Sequence, residues 1–381
     1  MELGVFELDP NGRRCFRPDA PPFPDIEDII DLLEPATAAL REFDRALAAW
    51  PRPDLVGRLF ARLDAVHSCG AEGSTTTFCE LMRCQSAPRS APDAEAAAAV
   101  AVFAEAIDTE PRSVDPVEVA LRIHRRLVAV RATPADAADL KRGANGTLDR
   151  DAPGGFLYYA RPSSVAAALD DWRTFTLGFD LETSELVRQI LSHWMFAHIH
   201  PFDDGNGGVG RVLVPLMLRS KGTTRSASAF FGEAVHERTP LYVDALKSAR
   251  RSGNMAAFTR LMLAFLERTA AANLGRLARL AAVDVQWRRL AASCRADSMV
   301  DKLAPFALTR PVFTLRDALD AIGGTSAGVN TAATRLVEMG VLSIADDARR
   351  DRLFEAGAVL EIFDRFRVPA TRQVESGSRG A

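Results

Sequence analysis

The sequence has no excess of either charge, no long apolar run and few cysteines, and each absence excludes a class of protein. Its 47 lysines and arginines are balanced by 50 aspartates and glutamates, so the surface as a whole does not attract nucleic acid or anionic membranes. No apolar run approaches the roughly 20 residues that a membrane-spanning helix needs. The opening residues, MELGVFELDPNGRRC, lack the apolar core of a secretory signal. We therefore expect a soluble, cytoplasmic protein.

The cysteines support the same compartment. Cys15, Cys69, Cys79, Cys84 and Cys294 are odd in number and include no CxxC pair, which is typical of free thiols in a reducing environment. With 48% hydrophobic and 25% charged residues among 381, the chain can bury a sizeable core and has the length of two or three domains.

Apolar residues recur at three- and four-residue spacing along most of the chain, and valine-rich alternating segments are scarce. This pattern predicts an all-α fold. Five prolines within the first two dozen residues indicate an extended arm there, and we expect irregular structure over 67–77 and 131–155. Helices are expected over 29–47, 55–66, from about 93, over 117–130 and 186–195, from about 209, and over 241–251 and 255–282.

Residues 200–211, HPFDDGNGGVGR, combine the groups that phosphate chemistry needs. Glycines let the backbone approach a ligand closely, and unpaired N–H groups at a helix start attract phosphate. A carboxylate beside such a site is the usual protein ligand of Mg²⁺, and an arginine can fork onto phosphate oxygens. A histidine near neutral pKa is a suitable base for a hydroxyl proton. Together these groups favour transfer from a nucleotide phosphate to an alcohol.

Other interpretations of the segment are weaker. Its glycines match the dinucleotide fingerprint GxGxxG, but the preceding element is helical and no βαβ unit surrounds it. His193, His198 and His200 have the wrong spacing for two zinc ligands on one helical face, and we interpret the first two as surface or packing residues. A glycine-rich turn between core helices would not explain the ordered set of His, Asp, Asn and Arg.

The segment resembles the Fic family signature, HxFx(D/E)GNGRxxR. The upstream segments PSSVAAALDDWRTF and HWMFAHIHPF also resemble the Fic core, over about 117–268. The resemblance implies an AMP-transferase that uses ATP and Mg²⁺ on a hydroxyl side chain of a target protein. His200 would be its general base, Asp204 the Mg²⁺ ligand, and Phe202 an inward-packing residue that fixes the loop. The matching positions are His200, Phe202, Asp204, Gly205, Asn206, Gly207 and Arg211.

The same resemblance places the nucleotide. The backbone of Gly205, Asn206 and Gly207, with the Asn206 side chain, would form an anion hole for the phosphates, and Arg211 would orient the γ-phosphate. Gly208, also beside the nucleotide, stands where the signature has its first arginine. Losing that guanidinium removes a contact worth roughly 1.5–3 kcal/mol, which is compatible with a weak enzyme, an inactive relative or an altered sequence.

Residues 68–73, SCGAEG, would by themselves be a plain helix end. Beside a Fic motif they resemble the inhibitory pattern (S/T)xxxE(G/N), with Ser68, Glu72 and Gly73 at the matching places. The resemblance therefore implies the class with an N-terminal inhibitory helix. A Glu72 carboxylate paired with Arg211 would occupy the guanidinium that should hold the γ-phosphate.

The partners follow from the remaining segments. Residues 131–159 lie where the family has its target-docking flap, and Tyr158 and Tyr159 either contact the target or belong to the core. From Pro311 the order strand, helix, helix and strand pair suits a winged helix-turn-helix module. Its recognition helix, 325–339, holds only Arg335 as a basic residue, so DNA binding is disfavoured and packing or homodimerisation is favoured.

The chain is therefore divided into an N-terminal arm and helical region with the inhibitory motif (1–110), a Fic catalytic core (111–285), a winged-helix module (286–368) and a disordered tail (369–381). Protein AMP transfer inhibited by Glu72 is the leading hypothesis. The alternatives are AMP removal, in which Glu72 and a metal position water, and a weakened Fic protein with a DNA-binding or regulatory role.

Overall fold

The computed structural model describes residues 3–87, 94–109, 115–130, 139–179, 183–292, 294, 298–346 and 352–364. The helices within these ranges are Ile30–Ala48 (α1), Pro53–Gly70 (α2), Phe78–Ser86 (α3), Ala94–Thr109 (α4), Pro116–Val130 (α5), Pro162–Leu177 (α6), Glu185–Ile199 (α7), Asn206–Ser220 (α8), Gly232–Glu237 (α9), Thr239–Ser252 (α10), Met255–Ala291 (α11), Met299–Thr309 (α12), Leu315–Ile322 (α13), Ser326–Glu338 (α14) and Gly357–Phe363 (α15). The strands are Gly4–Leu8 (β1), Arg14–Pro18 (β2), Gly146–Leu148 (β3), Phe156–Tyr158 (β4), Val312–Thr314 (β5), Ser343–Asp346 (β6) and Leu353–Glu355 (β7).

The predicted helical fold is confirmed, and its centre is α7. This helix packs against α6, α8, α11 and β2, so nearly all its residues are buried. A helix covered on every side needs apolar residues all round rather than along one stripe, and the α7 sequence ELVRQILSHWMFAHI meets this need. His193 and His198 lie inside this packing, and burial lowers the pKa of each to about 3. They are core histidines.

The N-terminal arm is not simply extended. Residues 4–18 form an antiparallel hairpin, β1–β2, that turns at Gly12, and β2 pairs in parallel with β4 in a sheet of order β1-β2-β4-β3. Cys15 and Phe16, both on β2, are buried. The strand that pairs with β2 is 140 residues away along the chain, so local sequence patterns gave no sign of it.

Two helical assignments also needed correction. The sequence analysis left residues 67–92 without a helix, yet α2 continues to Gly70 and α3 follows at Phe78. Thr77 and Glu80 form a capping box at the start of α3, a signal visible in the sequence as T-x-x-E. The expected N-cap Asp93 lies outside the described residues.

Towards the C-terminus, α11 runs for 37 residues to Ala291, past the expected helix end at 282 and the expected boundary at 285. Beyond it, β5, α13, α14, β6 and β7 follow in the predicted order, with a sheet of order β5-β7-β6. Their assignment as a winged helix stays a prediction. This region contacts the N-terminal helices, because Glu355 pairs with Arg83 at 2.6 Å and Phe363 stacks on Phe78.

None of the described helices combines the length and apolar character that crossing a membrane would require.

Asp64 marks the contact between α2 and α9. Its Oδ1 accepts a hydrogen bond from the Gly232 N–H at 2.7 Å, and a side chain at Gly232 would collide with α2, since an added Cβ would lie 2.6 Å from the Asp64 carbonyl oxygen. Burial raises the pKa of the Asp64 carboxyl from 3.8 to about 6. The folded protein therefore holds this proton more tightly than the unfolded chain does.

That difference predicts a pH-dependent effect of Asp64→Asn. Wild-type stability should fall as the pH rises from about 4 to about 6, because the unfolded chain ionises first. Asparagine cannot ionise but can still accept the Gly232 hydrogen bond. The variant should therefore gain about 1–3 kcal/mol of unfolding free energy relative to wild type over this window. Urea unfolding at about pH 3.5 and about pH 7.5, below and above the window, measures the gain; an equal difference at both values would contradict it.

Candidate active site

The turn between α7 and α8 carries the predicted loop, and two left-handed residues shape it. His200 ends α7 with φ 50° and ψ 61°, and Gly205 precedes α8 with φ 81°. Gly205 also lies against α5, since an added Cβ would be 2.4 Å from Leu127 Cδ2. Conformation and space therefore both require glycine at this position. Helix α8 begins directly afterwards, at Asn206 rather than near Val209 as expected.

Asn206 closes the loop internally. Its Oδ1 accepts the Phe202 N–H at 2.9 Å, and its Nδ2 donates to the Phe202 carbonyl at 2.8 Å. These two bonds use the Oδ1 and one of the two N–H donors of Nδ2. An anion site formed by this side chain and by the backbone N–H groups at the start of α8 stays a prediction. Phe202 packs inward as expected, stacked on His124 with ring centroids 4.0 Å apart.

His200 is prepared to act as a neutral base. Its Nδ1 lies 3.2 Å from the Ala197 carbonyl, which only accepts hydrogen bonds, so Nδ1 carries the proton and Nε2 is the basic nitrogen. Burial, with a further contribution from the charge of Lys141, lowers the pKa of His200 to about 4. The imidazole is therefore uncharged at neutral pH.

The two tyrosines of the flap have different positions. Tyr159 stacks on His200 with ring centroids 4.0 Å apart and an interplanar angle of 14°, and burial raises the pKa of its phenol to about 12. Tyr158, the last residue of β4, contacts the Phe156 ring and the guanidinium of Arg13. Tyr159 thus packs against the candidate base and Tyr158 does not, although both tyrosines are partly buried.

Arg211 is buried in α8 and is held by the end of α2. Its Nε donates to Ser68 Oγ at 2.7 Å, and its Nη2 donates to the Ser68 carbonyl at 2.9 Å and to Glu72 Oε1 at 2.7 Å. The Glu72 side chain is 56% exposed, against 2% for Arg211. Gly73, with φ 95°, lets the chain leave α2 in a left-handed turn.

The Glu72 carboxylate lies directly over the start of α8. A Cβ added to Gly207 would be 2.0 Å from Glu72 Oε1 and 3.0 Å from Arg211 Nη1. Gly207 is therefore the glycine that allows this approach, and the carboxylate occupies the place where an anion would meet both the helix start and Arg211.

A cavity of about 490 Å³ opens beside this carboxylate, within the size range of small-molecule sites. Asp204 lies at its edge and accepts the Gly205 N–H at 2.7 Å. No group of three or more potential metal ligands occurs among the described residues, so Mg²⁺ at Asp204 would have few protein ligands. That arrangement fits this ion, which takes its other ligands from phosphates and water.

Gly208 faces the aromatic ring of Phe103 on α4. A Cβ at position 208 would lie 2.5 Å from Phe103 Cζ and 2.9 Å from both Cε atoms. Phe103 is itself buried, so the ring has little room to move. Helix α4 therefore closes against α8 only because position 208 has no side chain. Sequence analysis missed Phe103, which lies in an alanine-rich helix without distinguishing features.

This contact predicts an energetic coupling between positions 208 and 103. Gly208→Ala should lower the unfolding free energy by about 1–3 kcal/mol through overpacking. In a Phe103→Ala background the same substitution should be neutral or favourable, since alanine is the better helix former by about 1 kcal/mol. Gly275→Ala in α11 is the matched control, because nothing lies within 4 Å of an added Cβ there. Denaturant unfolding of the four-member cycle measures the coupling; additive effects would refute it.

Comparison with known proteins agrees with this geometry. Residues 113–218 match the Fic/DOC family. The fold is similar to that of a Fic family protein from Desulfovibrio desulfuricans G20, with 17% identity and a TM-score of 0.55 over 88% of this chain and 98% of that one. It is also similar to Fic-1 from C. elegans, with 16% identity and a TM-score of 0.50 over 65% of this chain and 73% of that one. This chain therefore carries a Fic/DOC family domain and has the helical Fic fold.

Proposed function

We propose that this protein is an adenylyltransferase that transfers AMP from ATP to a Ser, Thr or Tyr hydroxyl of a target protein. The observation that carries the proposal is the neutral His200 imidazole at one end of a loop whose other end, at the start of α8, faces Arg211. The target oxygen attacks the α-phosphorus, the bond to the β-phosphate oxygen breaks, and pyrophosphate leaves. His200 Nε2 takes the hydroxyl proton.

The supporting parts are on the same loop. The backbone of Gly205, Asn206 and Gly207 would hold phosphate oxygens, with Gly208 beside them. Mg²⁺, held by Asp204, would offset the charge of the phosphates. We infer that the arginine of the family signature is absent at position 208 because Phe103 fills its place.

We further propose that Glu72 inhibits the reaction. Its carboxylate occupies Arg211 and the helix start together, so the γ-phosphate of a bound ATP would have to displace it. Ser68 holds Arg211 through a different nitrogen and would keep the guanidinium in place when Glu72 leaves.

Glu72→Gly and Glu72→Gln should therefore raise AMP transfer. Loss of an exposed ion pair worth up to about 1 kcal/mol accounts for a rise of up to about fivefold, and the vacated anion position should add to it. Labelled ATP with Mg²⁺ and mass spectrometry for a covalent AMP adduct measure the effect. Glu338→Gln is the matched control, because Glu338 also pairs with an arginine, Arg335 at 2.9 Å, but lies on α14 and does not line this cavity.

His200→Ala in the Glu72→Gly background should abolish the adduct. An unchanged rate in both Glu72 variants would refute the inhibitory role. If Glu72→Gly instead abolished AMP release from a modified protein, the reverse reaction would be the function of the site.

The metal role of Asp204 has its own test. Asp204→Asn should raise the Mg²⁺ concentration needed for half-maximal AMP transfer by at least about tenfold, since even outer-shell partners of a metal are worth that much. Asp203→Asn, one residue earlier, should change it far less. Titration of Mg²⁺ into the Glu72→Gly enzyme measures both, and equal effects of the two variants would remove Asp204 as the ligand.

The target protein would bind at the flap. Strand β3 is at the edge of its sheet, and an exposed edge can pair with an extended segment of another chain. Tyr158 on the neighbouring strand would contact that segment. For the C-terminal module we favour packing or homodimerisation over DNA, because the one basic group of α14, Arg335, pairs with Glu338 at 2.9 Å.

A further inference from the structure

The backbone of His200 is unusual. Among the described residues, His200 is the one residue other than glycine with a positive φ. Side chains larger than hydrogen disfavour this region, and a residue stays there only where its surroundings hold it. The candidate general base is therefore kept in a conformation that its own chemistry does not favour.

Lys141 binds the backbone on both sides of that residue. Its N–H donates to the Pro201 carbonyl at 2.8 Å, and its Nζ donates to the Ile199 carbonyl at 3.3 Å. The side chain and the amide of one residue thus bind the backbone carbonyls of the residues immediately before and after His200. Lys141 is only 3% exposed, which is rare for a lysine unless its ammonium group is hydrogen-bonded.

Asn145 adds further contacts to the same backbone segment. Its Oδ1 accepts from Lys141 Nζ at 2.8 Å, and its Nδ2 donates to the Phe202 carbonyl at 2.8 Å. Its own carbonyl accepts the Tyr159 N–H at 3.0 Å, and Tyr159 is the ring that stacks on His200. Backbone and imidazole of His200 are therefore held by one connected set of contacts from residues 141–159.

We propose that Lys141 is a positioning residue for the reaction: it holds His200 in the left-handed conformation in which the imidazole stacks on Tyr159 and presents Nε2 to the target hydroxyl. The proposal rests on the proposed AMP transfer for its kinetic consequence, but its structural content is independent of that reaction. The chemistry of the site does not require Lys141 to touch nucleotide or target.

The test uses Lys141→Met, which keeps the length of the side chain and the backbone N–H but removes the ammonium group. In the Glu72→Gly enzyme, kcat should fall by about tenfold to hundredfold, as expected when a reacting group is misplaced by about 1 Å. The KM for ATP should stay within about twofold, because the nucleotide contacts are unchanged. Lys221→Met is the matched control, since Lys221 donates to the Leu177 carbonyl at the opposite end of α8.

A second readout does not depend on activity. In protein labelled with ¹³C-histidine, the His200 ring proton signal, identified by its loss in His200→Ala, should carry an upfield ring-current shift from the stacked Tyr159. Lys141→Met should reduce or broaden this shift, and Lys221→Met should leave it unchanged. Asn145→Ala, which removes the acceptor of Lys141 Nζ, should act in the same direction and serves if Lys141→Met does not fold.

The outcomes separate the two proposals. A His200 signal that keeps its full ring-current shift in folded Lys141→Met or Asn145→Ala would overturn the positioning role, whatever the activity. A raised KM for ATP with unchanged kcat would also overturn it, because Lys141 would then act on nucleotide binding. If the ring-current shift is lost in the Lys141 and Asn145 variants but the Glu72→Gly enzyme transfers no AMP, the positioning role of Lys141 is supported and the proposed function is rejected.

Discussion

A buried guanidinium must have partners, and in this protein the partners of Arg211 determine how the N-terminal helices meet the Fic domain. Arg211 is covered by α2, and it donates hydrogen bonds to Ser68 and Glu72, 143 and 139 residues earlier in the chain. Removing all of them would leave an uncompensated charge in the interior, at a cost of several kcal/mol. The end of α2 is therefore bound to the start of α8 by the same group that would bind a phosphate.

Ser68 and Glu72 differ in how easily their hydrogen bonds to Arg211 can be replaced. Ser68 is fully buried, whereas the Glu72 side chain is mostly exposed, so water already screens the carboxylate and its pair with Arg211 is weak. An incoming phosphate can replace Glu72 at small cost while Ser68 still holds the guanidinium. As a proposed inhibitory contact, it would reduce activity without preventing it.

The cavity beside the Glu72–Arg211 pair is acidic, which opposes the binding of an anion. Its described lining includes the carboxylates of Glu72, Glu95 and Asp204 and no lysine or arginine, and Phe103 covers position 208 where a further cation would stand. A triphosphate entering this space meets three negative groups with only the α8 helix start and Arg211 to attract it. Binding should therefore depend strongly on a bound cation, and displacing Glu72 both frees a positive group and moves a negative one away.

The sequence revealed the parts of the site that are local and missed those that depend on long-range contacts. The loop residues, from His200 to Arg211, and the inhibitory pattern at Ser68, Glu72 and Gly73 lie in short segments whose order alone is informative. The glycines of the loop were expected to let the backbone approach a ligand. The structure adds that Gly205 lies close to Leu127 and Gly207 close to Glu72. Conversely, a motif does not record the hydrogen bonds that one of its residues makes within the loop, so the contacts of Asn206 with the Phe202 backbone could not be predicted from it.

The contacts of Lys141 and Phe103 could not be predicted from the sequence around them. Lys141 binds the Ile199 carbonyl, about 60 positions away, and Phe103 lies against Gly208, about 105 positions away. The pairing of β2 with β4 is more distant still, whereas the β1–β2 hairpin is local and its Asn11-Gly12 turn was a signal that was overlooked. Pattern analysis of one sequence detects periodicity and spacing, whereas these contacts exist only once the helices have packed.

The loop thus receives two independent sets of contacts at its two ends. The α2 and α4 helices act on the start of α8, where an anion would bind, and Lys141, Asn145 and Tyr159 act on His200, where a proton would move. The short turn between them is closed by the hydrogen bonds of Asn206. The separation of the two ends is therefore fixed, and each end is contacted by a different set of residues. A change on the α2 side should therefore alter how often the nucleotide is held productively, and a change on the flap side should alter how fast a held nucleotide reacts.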